Sequence, residues 1–254
     1  MEEQHGNYFV QRISTLGRGA FGYVEHVKVY NLNKGLCGDY ARKFLSPVKP
    51  EIVEQIEQFK RRFKREVIYQ SNCTHSNIVP IYLCSLYAET PWFIMEKAEC
   101  DLDHEISNNL LSPDQKLMVA KMILDGIGHI HKKGYLHRDI KPVNVLKFSD
   151  GTYKVSDFGL VKDTNPKGDT IKLTAIGTKM GSPRYMAPEI LYNAEYSAQT
   201  DIYAVGRLIE DLNIEDKKVK PIITKCIKME KDARYQSITE ILLDFSELIQ
   251  RSKS

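Results

Sequence analysis

Asp139, Lys141 and Asn144 fall within six residues of one another in the stretch HRDIKPVNVL, residues 137–146. A carboxylate, an ammonium group and an amide on one short connector concentrate a base, a cation and a hydrogen-bonding amide. Such a set suits the holding of something multiply charged while a proton is removed beside it. Further along, KVSDFGLVK places Asp157 at the end of a short strand, next to a Phe-Gly turn. A carboxylate there is a natural ligand for Mg²⁺, which takes oxygen donors and phosphates. Upstream, LGRGAFGYV (residues 16–24) carries glycines at 17, 19 and 22. Their missing Cβ atoms let backbone N–H groups close over phosphate oxygens.

Each signal has a plainer reading when it stands alone. A glycine-containing hairpin, a surface lysine and an Asp-containing turn are all common. A strand, YVEHVKVY, follows the glycines where a dinucleotide-binding turn would open a helix, which argues against that fold. Lys43 sits in the otherwise apolar YARKFL, and Glu66 falls three residues after Phe63 on the apolar edge of a helix. A carboxylate at a core-facing position is costly unless a cation meets it, and Lys43 suits that need.

The elements that must position these residues change character along the chain. YFVQRISTLG, YVEHVKVYNL and KGLCGDYARKFL are β-branched or aromatic segments broken by glycine. Ile52, Ile56, Phe59, Phe63 and Val67 then recur every three or four residues, predicting a helix over residues 51–72. Two further strands follow, IVPIYLCSLY and PWFIMEKA. From Asp101 onward the pattern is mostly helical. Ser112-Pro113 opens one helix that stops at Gly134, and Ser237 with Glu240 forms the S-x-x-E signature of another. The expectation is a single α+β domain over residues 1–254: a small antiparallel sheet with one helix (8–98), then a larger helical lobe (99–250).

A chain of 254 residues with 42% hydrophobic and 27% charged residues can build a substantial core. Lys and Arg exceed Asp and Glu by 36 to 33, too even a balance to point to nucleic acid or membrane. Five cysteines form no C-x-x-C pair, which fits a reduced, cytoplasmic protein without a structural zinc site. No apolar run approaches the ~18 residues of a membrane span, and residues 1–7 do not resemble a signal peptide. His129 and His131, two apart on a helix, do not suggest a metal pair. The basic run KRRFKR reads as a solvated helix face, and Cys100 as an unreactive thiol.

Taken in order, G-x-G-x-x-G-x-V, A-x-K, the helix glutamate, H-R-D-x-K-x-x-N, D-F-G and A-P-E (residues 187–189) resemble the protein-kinase set. The resemblance implies a bilobal kinase fold using ATP and Mg²⁺. By it, Asp139 accepts the proton of the attacking hydroxyl, Lys141 neutralises the γ-phosphate, and Asn144 and Asp157 hold the metal. Leu16 belongs to the nucleotide site, Gly17, Gly19 and Gly22 cover the phosphates, and Lys43, braced by Glu66, contacts them. Val24, Ala41 and Leu146 sandwich the adenine, Met95 is the gatekeeper, the backbones of Glu96 and Ala98 read the adenine edge, and Asp101 meets the ribose. His137 and Phe158 are scaffold. KPVN after Asp139, and Ser182 in GSPRYMAPE, resemble the serine/threonine form. Arg138 would bind a phosphorylated segment within residues 157–189, with Thr170, Thr174 and Thr178 as candidate sites. Protein substrates are implied, together with self-association for phosphorylation in trans.

Three positions depart from the family pattern. Gln70 stands where an apolar residue is usual, which would loosen its helix, and Tyr203 replaces a common Trp. Only 14 residues, 207–220, separate Gly206 from Pro221, leaving no room for a docking helix of ordinary length. The next helix is expected at about Pro221, and substrates are expected to be recruited through another surface or a partner. Asp201 and Arg234, the latter as partner of Glu189, are expected to brace the peptide platform. The competing readings are a kinase-shaped scaffold without turnover and a small-molecule kinase. Intact Lys43, Glu66, Asp139, Asn144 and Asp157 argue against the first, and A-P-E argues against the second.

Overall fold

The computed structural model describes residues 2–48, 53–164 and 182–251. Thr170, Thr174 and Thr178, with Ile52 of the predicted helical stripe, lie outside the described residues. Two compact units are present, one of residues 1–74 and 79–98, the other of 75–78 and 99–254.

The first unit is a six-stranded antiparallel sheet with one helix. Its strands are β1 (Glu2–His5), β2 (Tyr8–Gly19), β3 (Gly22–Asn31), β4 (Leu36–Leu45), β5 (Ile81–Ser85) and β6 (Trp92–Glu96), in the order β1-β2-β3-β4-β6-β5. Helix α1 (Ile56–Asn72) ends where the apolar period predicts, and buries Phe59, Phe63, Glu66, Val67 and Gln70. Val10, Val27, Val29, Trp92 and Ile94 form an apolar cluster in the sheet.

Strand β1 was not foreseen: its Glu-Glu-Gln-His sequence lacks β-branched residues, and the sheet was expected to begin at Tyr8. It pairs with β2 from Glu2↔Gln11 to His5↔Tyr8. It also carries Glu3 to Arg42, a β4 residue only 2% exposed. Arg42 donates to Glu3 at 2.7 Å and to buried Glu25 at 3.0 Å, and stacks over Phe44 and Trp92. Arg12 reaches the same Glu25 at 2.8 Å.

Gln70 is buried, and its Oε1 has no hydrogen-bond partner among the described residues. Its Nε2 donates to the Val79 carbonyl at 2.9 Å, tying α1 to the chain entering β5. The basic run lies on the helix's outer side, as expected: Lys60 pairs with Glu57 and Lys64 with the Tyr87 hydroxyl, while Phe63 points inward.

The second unit contains β7 (Cys100–Asp101), α2 (Leu102–Ser107), α3 (Pro113–Lys132), β8 (Tyr135–Leu136), β9 (Val145–Lys147), β10 (Tyr153–Val155) and β11 (Lys162–Asp163). After them come α4 (Pro188–Asn193), α5 (Ala198–Asp211), α6 (Val219–Cys226) and α7 (Ile238–Arg251). Residues 75–78 join this unit, contrary to the single break expected at 98. The reason is hydrogen bonding: Asn77 Nδ2 donates to the Tyr153 carbonyl, and the Val155 N–H donates to the Asn77 carbonyl.

Both predicted helix starts are capped. Ser112 and Gln115 form a reciprocal capping box on α3. On α7 the Ser237 Oγ accepts from the Glu240 N–H, while the Glu240 carboxylate accepts from the Gln236 N–H. Ala120, Ile123, Leu124, Ile127 and Ile130 of α3 are fully buried, and α3 packs on α7 around Ile241 and Phe245. Each buried Leu or Ile among them contributes about 1.5–3 kcal/mol.

Between α5 and α6 no helix forms, as the short spacing predicts; the Asn213 carbonyl accepts from Lys116. Helix α6 opens at Val219, two residues before Pro221, which falls in its first turn where a missing N–H costs nothing. It lies hard against α5: a Cβ on Gly206 would stand 2.5 Å from that of Cys226. No described helix is long and apolar enough to cross a membrane.

Candidate active site

Each unit holds part of the predicted set. In the first, β3 and β4 place Val24 opposite Lys43, and β4 and β6 place Ala41 opposite Met95 and Tyr40 opposite Glu96. Lys43 Nζ donates to Glu66 Oε1 at 2.6 Å, and the Glu66 side chain is 6% exposed. The glutamate on the apolar edge of α1 therefore meets its cation, as the sequence suggested.

The glycines at the β2–β3 turn divide by role. A Cβ on Gly22 would overlap the Phe44 carbonyl oxygen at 1.8 Å, so backbone packing alone demands glycine there. At Gly17 and Gly19 a Cβ would meet nothing within 4 Å. The room that they leave belongs to whatever approaches the loop, beside half-exposed Leu16. Phe21 at the turn stacks on Phe59 of α1, with ring centroids 5.1 Å apart. Ala98 ends this unit, partly buried.

In the second unit the connector between β8 and β9 folds into one hydrogen-bonded knot. Lys141 Nζ donates to both carboxylate oxygens of Asp139, at 2.9 Å each. Asn144 Nδ2 donates to the Asp139 carbonyl at 2.8 Å and to its Oδ2 at 3.0 Å. With its amide nitrogen so engaged, Asn144 presents its carbonyl oxygen as the ligating atom. Asp157 precedes a 3₁₀ turn at Phe158–Leu160 with φ of 60°, and accepts from the Gly159 N–H at 3.3 Å.

These donors fit Mg²⁺: an amide oxygen and a carboxylate, all hard oxygen atoms. Among the described residues no group of three or more His, Cys, Asp or Glu could hold a metal. Magnesium commonly uses one or two carboxylates plus substrate phosphates, a pattern that one carboxylate and one amide oxygen match. Leu146 on β9 lies opposite Asp101 on β7. Asp101 also caps α2 by accepting from the His104 N–H at 2.9 Å, which leaves its second oxygen for a ligand hydroxyl.

The knot is held from beneath by Asp201, a fully buried residue of α5. It accepts from the His137 N–H at 2.8 Å, the Arg138 N–H at 2.9 Å and His131 Nε2 at 2.9 Å. Burial works against its charge, yet the His131 hydrogen bond, the nearby histidines and the Arg138 N–H hold its pKa below the usual value. Arg138 is thereby kept at φ 68°, a left-handed conformation that costs a non-glycine residue energy. His137 donates through Nε2 to the Ser156 carbonyl and accepts the Asp139 N–H at Nδ1, which confirms it as scaffold. Arg138 lies over the Tyr196 ring at 3.6 Å, its Nε buried without an acceptor among the described residues.

His131 and His129 do face different ways, as two positions apart on a helix must. His129 stacks on His75, with centroids 5.0 Å apart. Its pKa lies below 6.5, through burial first and then the positive field of His75, Lys133 and Lys132. A depressed folded-state value means that the unfolded chain binds the proton more tightly. The stability that neutral His129 confers is present above about pH 6.5 and is lost as pH falls through the folded value. The melting temperature should therefore drop between about pH 7.5 and about pH 5.5, and drop less in His129→Gln. Identical slopes in the two proteins would remove His129 from this role. Cys100 has its thiol pushed up by burial and by Glu105, which keeps it protonated and poorly nucleophilic, in line with expectation.

The peptide-platform segment is braced at two places. Arg234 forms a two-pronged pair with Glu189, at 2.7 and 2.9 Å, as expected. The other brace was missed: Tyr185 donates to Asp211 at 2.6 Å, and Arg184 reaches both Asp211 and Glu210 at the end of α5. No local pattern announces a pairing across 26 residues. The Tyr185 hydroxyl is pushed well above its ordinary value by burial and by Asp211. A cavity of about 30 Å³ lies between this segment and the knot, lined by Asp139, Lys141, Leu160, Ser182 and Tyr185 among others.

A protein kinase domain family model matches residues 10–251. Among similar proteins, serine/threonine-protein kinase CHK1 of Saccharomyces cerevisiae is 35% identical over 201 residues, covering 77% of this chain and 37% of that protein. The probable serine/threonine-protein kinase PknB of Lactococcus lactis subsp. lactis is 31% identical over 214 residues, 82% of this chain and 32% of that protein. Serine/threonine-protein kinase pakA of Talaromyces marneffei is 30% identical over 198 residues, 76% of this chain and 28% of that protein. The chain thus spans well under half the length of these relatives. With the Asp139 knot, the Lys43–Glu66 pair and this match over nearly its whole length, the chain belongs to the protein kinase domain family.

Proposed function

We propose that this chain is an ATP-dependent protein kinase that phosphorylates serine and threonine hydroxyls, its own activation segment included. The observation that carries the reading is the knot of Asp139, Lys141 and Asn144, with all three side chains within 3.0 Å of a partner. Asp139 takes the proton of the acceptor hydroxyl as that oxygen bonds to the γ-phosphorus and the bond to the bridging oxygen breaks, releasing ADP. Lys141, already against Asp139, meets the charge that develops on the transferred group. Asn144 and Asp157 hold Mg²⁺, which when bound screens the phosphate charges. Lys43 positions the α- and β-phosphates, and Gly17 and Gly19 leave the loop backbone free to approach them. Leu16, Val24, Ala41, Met95, Glu96, Ala98, Asp101 and Leu146 take the adenosine part. Ser182, at the cavity beside Asp139, belongs to the hydroxyl-acceptor side.

Among the described residues the buried Arg138 Nε has no acceptor, which leaves it able to donate to an anion. A phosphate on Thr170, Thr174 or Thr178 supplies one, adding about −1.5 to −2 charges. Two copies of the chain would meet for that transfer.

The test is incubation of the purified chain with Mg²⁺ and γ-labelled ATP, followed by phosphosite mapping. Phosphoserine and phosphothreonine are the expected products. Phosphotyrosine alone would overturn the acceptor assignment, and tight ATP binding without any transfer would make the chain a scaffold. In the same assay Lys43→Met should lose activity by on the order of 10²-fold or more, the worth of a preorganised charge. Its unfolding free energy should fall by about 1–3 kcal/mol as Glu66 loses a charged donor. A Lys43→Met protein unchanged in both respects would sink the ion-pair role.

A further inference from the structure

A basic groove runs along the outer face of α6, away from the Asp139 knot. It encloses about 450 Å³ and is lined by Lys217, Lys220, Pro221, Thr224, Lys225 and Lys228, with Ala233 at its edge. The helix explains the stripe. Val219, Ile222 and Cys226 point into the core, so the intervening positions 220, 221, 224 and 225 fall together on the solvent side. Gly206 lets α6 approach α5 so closely that its inward face is fully consumed. The helix-free link at 213–218 puts nothing over its outward face.

None of the groove-lining residues is acidic. Among the described residues no carboxylate pairs with the ammonium groups of Lys217, Lys220, Lys225 or Lys228; Lys225 stands over the Tyr235 ring at 3.8 Å. Four like charges lining one groove repel each other, and an anionic occupant relieves that repulsion.

We infer that this groove docks an acidic, Asp/Glu-rich segment of a protein partner, and that it recruits substrates to the kinase. The binding part stands on the groove alone, while the recruiting part rests on the proposed activity. Three features select this occupant. Lysines are point charges without the planar fork that favours a single phosphate, and no arginine lines the groove. No aromatic ring lines it for bases to stack on, as single-stranded nucleic acid would use. The eight residues of α6 rise about 12 Å, which roughly four residues of extended chain would cover. Recruitment was expected away from the shortened link; the groove instead begins in it, at Lys217, and continues along the next helix.

The test uses the whole chain and two fluorescein-labelled peptides, one with six consecutive glutamates and one with six glutamines. Fluorescence anisotropy should show binding of the glutamate peptide alone, weakening as salt is raised. The Lys217→Glu, Lys220→Glu, Lys228→Glu triple variant should weaken it by about tenfold or more. The corresponding glutamine triple should fall between. Lys225 is left in place because it packs on Tyr235. With a substrate peptide carrying the glutamate run, the charge-reversed variant should raise KM and leave kcat unchanged. Its KM for the same substrate without the run should not move.

Absence of glutamate-peptide binding, or binding indifferent to the three substitutions, overturns the docking site. So does a labelled single-stranded RNA that binds more tightly through the same lysines. Binding as expected with no KM effect overturns recruitment and keeps the docking site. If the chain transfers no phosphate at all, the anisotropy result still decides the docking site, separately from the kinase reading.

Discussion

Asp139→Asn is expected to lower phosphoryl transfer by on the order of 10²- to 10⁴-fold, the usual worth of a general base. ATP affinity and the unfolding midpoint should stay nearly unchanged. The substitution keeps the size and shape of the side chain, so Asn144 can still donate to the residue-139 carbonyl, and the Asp201 bonds beneath are untouched. What disappears is the negative oxygen pair that Lys141 now bridges at 2.9 Å. A role confined to structure would show as lost stability with a proportionate loss of activity. A role in proton removal shows as lost turnover in a folded, ATP-binding protein. Near-normal turnover in the variant would take Asp139 out of the reaction.

The second large effect is on stability. The Arg234 side chain has no exposed surface, and all five of its N–H groups are engaged. Two go to Glu189, and the others to the carbonyls of Lys228, Gln199 and Met229. Arg234→Met keeps much of the volume and removes every donor. It strands the Glu189 carboxylate, 11% exposed, without its cation. Breaking such a pair from one side costs about 3–5 kcal/mol, which denaturant unfolding would read as a clear fall in midpoint. Exposed pairs such as Lys231–Glu195 should contribute little by comparison. Adding Glu189→Gln to Arg234→Met should recover part of the loss, because the stranded charge is gone. If the double variant is no more stable than the single one, the cost lies in the lost carbonyl bonds rather than in the carboxylate.

The sequence disclosed most where chemistry or sterics leaves few residue types. Asp139, Lys141 and Asn144 could be grouped because their spacing is local, and they do meet in one hydrogen-bonded knot. Ser112 and Ser237 marked helix starts because a cap acts within one turn. The absent helix between α5 and α6 could be counted from chain length alone.

What escaped notice was contact between distant residues. Nothing local marks Arg42 as buried, because its partners Glu25 and Glu3 lie 17 and 39 residues away. The Arg184 and Tyr185 links to Asp211, and the His131 link to Asp201, were hidden for the same reason. The Gln70 contact with the Val79 carbonyl, nine residues away, was equally out of reach of the local pattern.

The first strand has a consequence for where this domain begins as a thermodynamic object. The family match starts at residue 10, whereas the sheet starts at Glu2. In the Arg42 cluster two guanidinium groups, Arg12 and Arg42, face two carboxylates, Glu3 and Glu25. A chain trimmed to the matched residues keeps both cations and one anion. Arg42, 2% exposed, then keeps only Glu25, which it shares with the solvent-facing Arg12. Local electroneutrality is thus supplied by a ribbon outside the boundary that homology draws. A chain trimmed at residue 10 should therefore unfold at lower denaturant than the full chain, and an unchanged midpoint would show that the first strand adds nothing.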